Sequence, residues 1–108
     1  MAWYRVYVIL LADKAHCPGT GGKGSVYVGE TALSREERFR RHKEGGVTAS
    51  KVVTDHGIRL MPELYTHLRA FRTRGEAEAA EKQLRSELIA DGWRVCGGTT
   101  GMSEARFG

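Results

Sequence analysis

Five side chains of this sequence have the types and order suited to cutting a phosphodiester: Tyr7, Tyr27, Arg38, His42 and Glu81. The tyrosines come from one tripeptide used twice, Val6-Tyr7-Val8 and Val26-Tyr27-Val28, the second followed directly by Gly29. Side chains alternate between the faces of an extended strand, so each tyrosine turns away from its valines. Pairing of the two strands would set the phenols side by side, next to a glycine that lets backbone approach closely. Arg38 and His42 lie one helical turn apart and share a helix face. Water attacking a phosphodiester builds negative charge on the non-bridging oxygens and on the leaving oxygen. A guanidinium answers the first with a bidentate fork. A carboxylate-held cation answers the second as a Lewis acid, and a phenol or imidazole moves the proton. A phenol titrates at about pH 10 when unperturbed, so it needs positive charge beside it to take that role near neutrality.

The elements that must position these groups follow from local pattern. Tyr4–Leu11, rich in Val, Ile, Leu and Tyr, reads as a strand, and Ser25–Gly29 as a second, shorter one. The turn-rich stretch between them, from about Asp13 to Gly24, reads as a flexible hairpin connection. Within it Gly19-Thr20-Gly21-Gly22-Lys23-Gly24 matches a GxGxxG pattern but runs into a strand where a dinucleotide fingerprint opens a helix. Ser34 and Glu37 form a capping box that starts a helix over Arg35–Lys43, and Gly45-Gly46 ends it. Phe39, the one large apolar residue of that helix, marks its inward face, with Arg35, Arg38 and His42 on the same side. Val47–Asp55 reads as a short helix ending at Gly57, and Tyr65–Phe71 as a third strand.

The strongest helical stretch runs from Gly75 to about Asp91, with Ala77, Ala80, Leu84 and Leu88 as its apolar stripe. Glu81 falls near the middle of that stripe. A carboxylate there is costly unless it is paired, with Arg38 as one partner, or binds metal. Gly92 caps the helix and Trp93–Cys96 is a short extended return. The pattern describes one α+β domain over residues 1–98 and a small, polar, flexible tail over residues 99–108.

The bulk numbers limit the function classes. The 108 residues suffice for one domain with a modest core, and no run of eighteen apolar residues exists to span a membrane. Ala2–Ala12 carries Arg5 and lacks a basic leader, so it reads as a strand and not as a signal peptide. A net charge of +4 and a pI near 9.3 suit a polyanionic partner. Arg40, Arg41, Lys43, Lys51, Arg69, Arg72 and Arg74 are candidates for a phosphate track, although each alone is an ordinary solvated charge. Cys17 and Cys96 show neither metal spacing nor a disulfide framework, which makes a reducing, cytoplasmic setting the default and leaves a single bridge open. Nothing resembles a base-reading helix or zinc finger. Cleavage guided by nucleic-acid structure, or a protein partner that provides targeting, fits better than strong sequence specificity.

The order Val6-Tyr7-Val8, Tyr27-Val28-Gly29, Arg38 with His42 a turn later, and Glu81 in an Ala-rich helix resembles the GIY-YIG nuclease superfamily. The resemblance runs from about Tyr4 to Gly98, and Gly29-Glu30-Thr31 and Glu37-Arg38-Phe39 are similar to small stand-alone members. It implies a small three-stranded antiparallel sheet flanked by helices, and hydrolysis of DNA with one divalent cation, Mg²⁺ or Mn²⁺. Carried over, Tyr27 would be the general base or orient the water, and Tyr7 would position water and phosphate. Arg38 would stabilise phosphate charge, His42 would assist deprotonation near Tyr27, and Glu81 would hold the metal. The sequence departs from the pattern at Arg5-Val6, where the family has Gly-Ile. It also has Glu30 where many members have lysine, and Gly97-Gly98 where many have asparagine. A binding module of the same fold that does not cut is the alternative.

Overall fold

The apolar run around Tyr7 becomes the central strand of the molecule. In the computed structural model, which describes residues 2–97, β1 (Arg5–Leu11) is paired along both edges. β2 (Gly24–Thr31) runs antiparallel to it, with Tyr7 opposite Gly29 and Ile9 opposite Tyr27. The two phenols are therefore diagonal neighbours on one face, not directly opposed. On the other edge β3 (Gly57–Leu60) pairs antiparallel, with a register shift between Leu10 and Leu11. β4 (Trp93–Gly97) lies parallel to β2, giving the order β3-β1-β2-β4.

The α+β class holds, but the sheet is four-stranded and mixed where three antiparallel strands were expected. Tyr65–Phe71 is not the third strand. The 3-10 turn Pro62–Leu64 precedes it, and Leu68 N–H donates to the Tyr65 carbonyl. This curl turns Tyr65 and Leu68 onto the core together instead of alternating them across a sheet. Only Phe71 pairs, in a single bridge with Tyr4. The strand that does form carries Ile58 and Arg59 in the open, so its sequence has little apolar alternation to announce it. A parallel neighbour for β2 requires a long crossover. That crossover ends in α3 (Arg74–Ala90), which packs on β2 and β4 and turns through Gly92 into β4.

α1 and α3 begin at side-chain caps. Ser34 accepts the Glu37 N–H at the start of α1 (Arg35–Glu44), and Gly45 ends it at a φ of 85°. α2 (Lys51–His56) starts later than the expected Val47. A full capping box of Thr73 and Glu76 starts α3 just before Gly75. Val6, Tyr7, Val8 and Ile9 are all buried, so elements cover both faces of the sheet. Among the described residues no helix is long and apolar enough to cross a membrane. The expected tail, residues 99–108, lies outside the described residues, as does Gly98.

The loop between β1 and β2 is strapped down, in contrast to the flexible connection expected. Ala15 is buried, Val95 N–H donates to the Pro18 carbonyl at 2.8 Å, and Lys23 N–H donates to the Gly92 carbonyl at 3.1 Å. Gly21 approaches Gly92 so closely that a Cβ there would stand 2.0 Å from the Gly92 carbonyl oxygen. The glycines of the GxGxxG pattern thus serve packing. Cys17 and Cys96 form a disulfide across 79 positions of sequence, a separation that hid the pair from spacing rules. Such bridges persist in oxidising surroundings, which weighs against the reducing, cytoplasmic default. Reduction of the bridge, or Cys96→Ser, is expected to lower the unfolding free energy by about 2–4 kcal/mol. Urea denaturation with and without reductant reads this directly, and an unchanged midpoint would remove the bridge from the structural account.

Candidate active site

Tyr7 is where the strands and α1 meet. Its ring lies across Gly29, where a methyl group would stand 2.6 Å from Tyr7 Oη. The glycine is required because no other residue leaves the phenol its place. Tyr27, one register step away, has its ring centroid 6.2 Å from that of Tyr7. Arg35 anchors α1 to β1, since its Nε donates to the Val6 carbonyl at 2.7 Å while its guanidinium stands 4.4 Å over the Tyr65 ring. One turn further on, Arg38 lines a cleft with Tyr7 and Tyr27, and His42 is fully buried behind both phenols. Phe39 packs only partly, so the inward anchor of α1 is its histidine.

The imidazole has both ring nitrogens engaged. Ser50 N–H donates to Nδ1 at 2.9 Å, and Nε2 lies 2.8 Å from Tyr7 Oη. Because Nδ1 accepts, the proton of neutral His42 sits on Nε2 and is donated to the Tyr7 oxygen. Burial, reinforced by the Arg38 charge, lowers His42 to about 4. His42 is therefore a neutral donor to Tyr7 and not a proton acceptor beside Tyr27, whose ring it meets edge-on at 5.4 Å. Burial also pushes both phenols up, Tyr7 well above the usual value with Tyr27 adding to the rise. The Ser50 hydroxyl opposes the rise at Tyr27, and Arg38 opposes it at both.

Glu81 is fully buried on α3, its charge is felt at both phenols, and its Oε2 lies 3.4 Å from Arg85 Nε. Arg85, one turn on, is one salt-bridge partner of Glu81, and Arg38 Nη2 donates to the Thr48 carbonyl at 2.7 Å. Tyr7, Tyr27 and Arg38 line one cleft of about 300 Å³. His42 lies behind Tyr7, and Glu81 is buried within electrostatic reach of both phenols, and neither of these two lines the cleft.

Glu30 and Arg74 join the cleft wall. Arg74 Nη1 donates to Glu30 Oε2 at 2.7 Å while its guanidinium stands 4.9 Å over the Tyr4 ring. Glu30 Oε1 is buried with no hydrogen-bond partner, and burial raises the carboxyl pKa in spite of Arg74. The sequence signal for Glu30 was its departure from the lysine of the pattern that the chain resembles. Ser50, which acts through its backbone N–H at His42 and its hydroxyl at Tyr27, had none.

The other cations expected to form a phosphate track are distributed elsewhere. Arg40 pairs with Glu37 and Glu44, and Arg41 with Glu37, along the outer side of α1. Lys43 donates to the Thr54 and Gly57 carbonyls, and Lys51 pairs with Asp55. Arg69 and Arg72 line a second cleft. Comparison of the chain with protein-family models, curated proteins and solved structures gave no match.

Among the described residues no group of three or more His, Cys, Asp or Glu is arranged to hold a metal. The oxygen donors still suit a hard cation, which needs only one or two carboxylates beside water and substrate phosphate. Glu81 would supply one, and Glu30 Oε1 is a buried carboxylate oxygen in the cleft wall that lacks a hydrogen bond.

Two outcomes follow from this geometry. The native state keeps His42 neutral below about pH 6.5, where the unfolded chain binds a proton. Stability present above that pH is lost as pH falls toward about 4, with a slope of at most about 1.4 kcal/mol per pH unit from this group. Denaturation midpoints measured across that range should show the slope in wild type and lose it in His42→Gln. Gly29→Ala should cost about 1–3 kcal/mol through overpacking against Tyr7, and an unperturbed thermal midpoint would contradict the close approach.

Proposed function

We propose that this chain is a metal-dependent endonuclease of the GIY-YIG type that hydrolyses DNA phosphodiester bonds. The observation that supports it most is the chain Ser50 N–H, His42, Tyr7, which fixes one phenol beside Tyr27 and Arg38 in a cleft. A purely structural core has no need of two buried phenols facing a guanidinium.

In this reading Arg38 binds the non-bridging oxygens of the scissile phosphate and offsets the charge that develops there. Tyr27 orients the attacking water. His42 satisfies the Tyr7 oxygen from behind with its Nε2 proton, which leaves the Tyr7 hydroxyl proton to point into the cleft toward water or phosphate. If that proton leaves, the same donor stabilises the phenolate. A divalent cation, Mg²⁺ or Mn²⁺, held by Glu81 with Glu30 alongside, would supply Lewis acidity at the leaving oxygen and lower the phenol pKa values that burial has raised. Arg74, released from Glu30, is the second guanidinium available to the DNA backbone.

The alternative is a nucleic-acid-binding module of this fold that does not cut, and the Glu81–Arg85 pair favours it, since a carboxylate held by arginine has less call on a cation. Nicking of supercoiled plasmid and branched DNA separates the two. Wild type should cut with Mg²⁺ or Mn²⁺ and not with EDTA. Arg38→Ala should lose roughly 10²–10³-fold in rate, and Glu81→Gln should lose cleavage while circular dichroism stays native. Binding by wild type with no cleavage in either metal leaves the module reading.

A further inference from the structure

We infer that the cleft around Trp3 is a binding site for an unpaired nucleotide, so that the chain engages single-stranded nucleic acid beside the bond it would cut. The inference rests on the proposed nuclease reading only in choosing nucleic acid among planar anions. The cleft, about 630 Å³, is walled by Trp3, Arg5, Arg69, Phe71, Arg72 and Glu76. Trp3 is a large apolar side chain left 39% exposed, and the Arg72 guanidinium stands 5.0 Å over its ring.

The charges here are not offset as they are on α1. No carboxylate pairs with Arg5, Arg69 or Arg72 among the described residues. The one carboxylate in the wall, Glu76, is occupied in capping α3, where its Oε1 accepts from Thr73. Three guanidiniums beside a partly exposed indole, with Arg72 over its ring, describe a ligand that is both flat and anionic. A nucleobase with its phosphate is such a ligand, and stacking on an aromatic ring within a positive groove is how single strands are held without sequence preference. Bases in a duplex are stacked on one another and offer no face to Trp3.

Position supports the same reading. The bridge between Tyr4 and Phe71 places Trp3 under Arg72 and Tyr4 under Arg74. Arg74 reaches the wall of the tyrosine cleft through Glu30. Two residues of extended chain separate the two arginines by at most about 7 Å, so one strand can touch both clefts. The substrate so described has an unpaired nucleotide next to its scissile bond, as at a flap, a gap or a branch.

The test is binding of fluorescein-labelled oligothymidine and of a blunt hairpin duplex, in EDTA, by anisotropy and tryptophan fluorescence. Wild type should prefer the single strand and show quenching. Trp3→Ala should weaken single-strand binding by roughly 5- to 150-fold, the loss of one base–aromatic stack. Trp3→Phe should keep most of the affinity and lose the quenching, with Trp93 as the remaining fluorophore. Arg69→Gln with Arg72→Gln should weaken binding and flatten its salt dependence. Equal affinity for duplex, Trp3→Ala binding like wild type, or equal displacement by a polyglutamate peptide each overturns the inference. Because no divalent cation is present, absence of cleavage leaves the result standing. Cleavage by wild type with unchanged Trp3→Ala affinity instead leaves the nuclease reading and removes this one.

Discussion

One buried imidazole organises this molecule. His42 sits at no solvent exposure with Nδ1 taking the Ser50 amide and Nε2 reaching Tyr7. Those two bonds tie α1 to the start of α2 on one side and to the central strand on the other. A buried polar ring is tolerated only when each nitrogen is satisfied, so the positions of three elements are fixed together. The tautomer is fixed with them. That single proton placement decides that Tyr7 receives a hydrogen bond instead of losing its proton to the histidine.

The cleft is built from opposed demands. Burial keeps the phenols protonated, whereas Arg38 pulls them the other way and Glu81 opposes it. The balance is sensitive to any charge that enters, because charges near buried groups are screened less than in bulk water. Glu30 lies in the same condition, half satisfied by Arg74 and half not. A site in this state responds to a ligand through charge before it responds through shape.

Much of this was legible in the sequence, for reasons that can be named. Tyr7 and Tyr27 were readable because alternation along a strand is strict, and Glu81 because a carboxylate on an apolar helical stripe demands an explanation. The caps Ser34 and Gly45 fixed α1 to within a residue of the expected bounds. What escaped depended on distant chain. β3 has two exposed residues in four and is a strand only because Leu10 and its neighbours offer an edge. Tyr65 and Leu68 look extended by composition but curl because Arg35 and the core draw both inward. The diagonal register of the phenols follows from Gly29 facing Tyr7, which no local rule supplies. The basic residues were countable, but which of them meet carboxylates was not.

The Cys17–Cys96 bridge has a topological consequence. It closes a covalent ring that contains β2, β3 and all three helices, with β4 at the point of closure. Of the four strands only β1 lies outside the ring, although it sits in the middle of the sheet. The strand that carries Tyr7 is therefore an inserted tongue, gripped on both edges by backbone hydrogen bonds and preceded by Trp3 and Tyr4. Tension applied through the segment before β1 acts on the tongue first, and the ring around it stays closed.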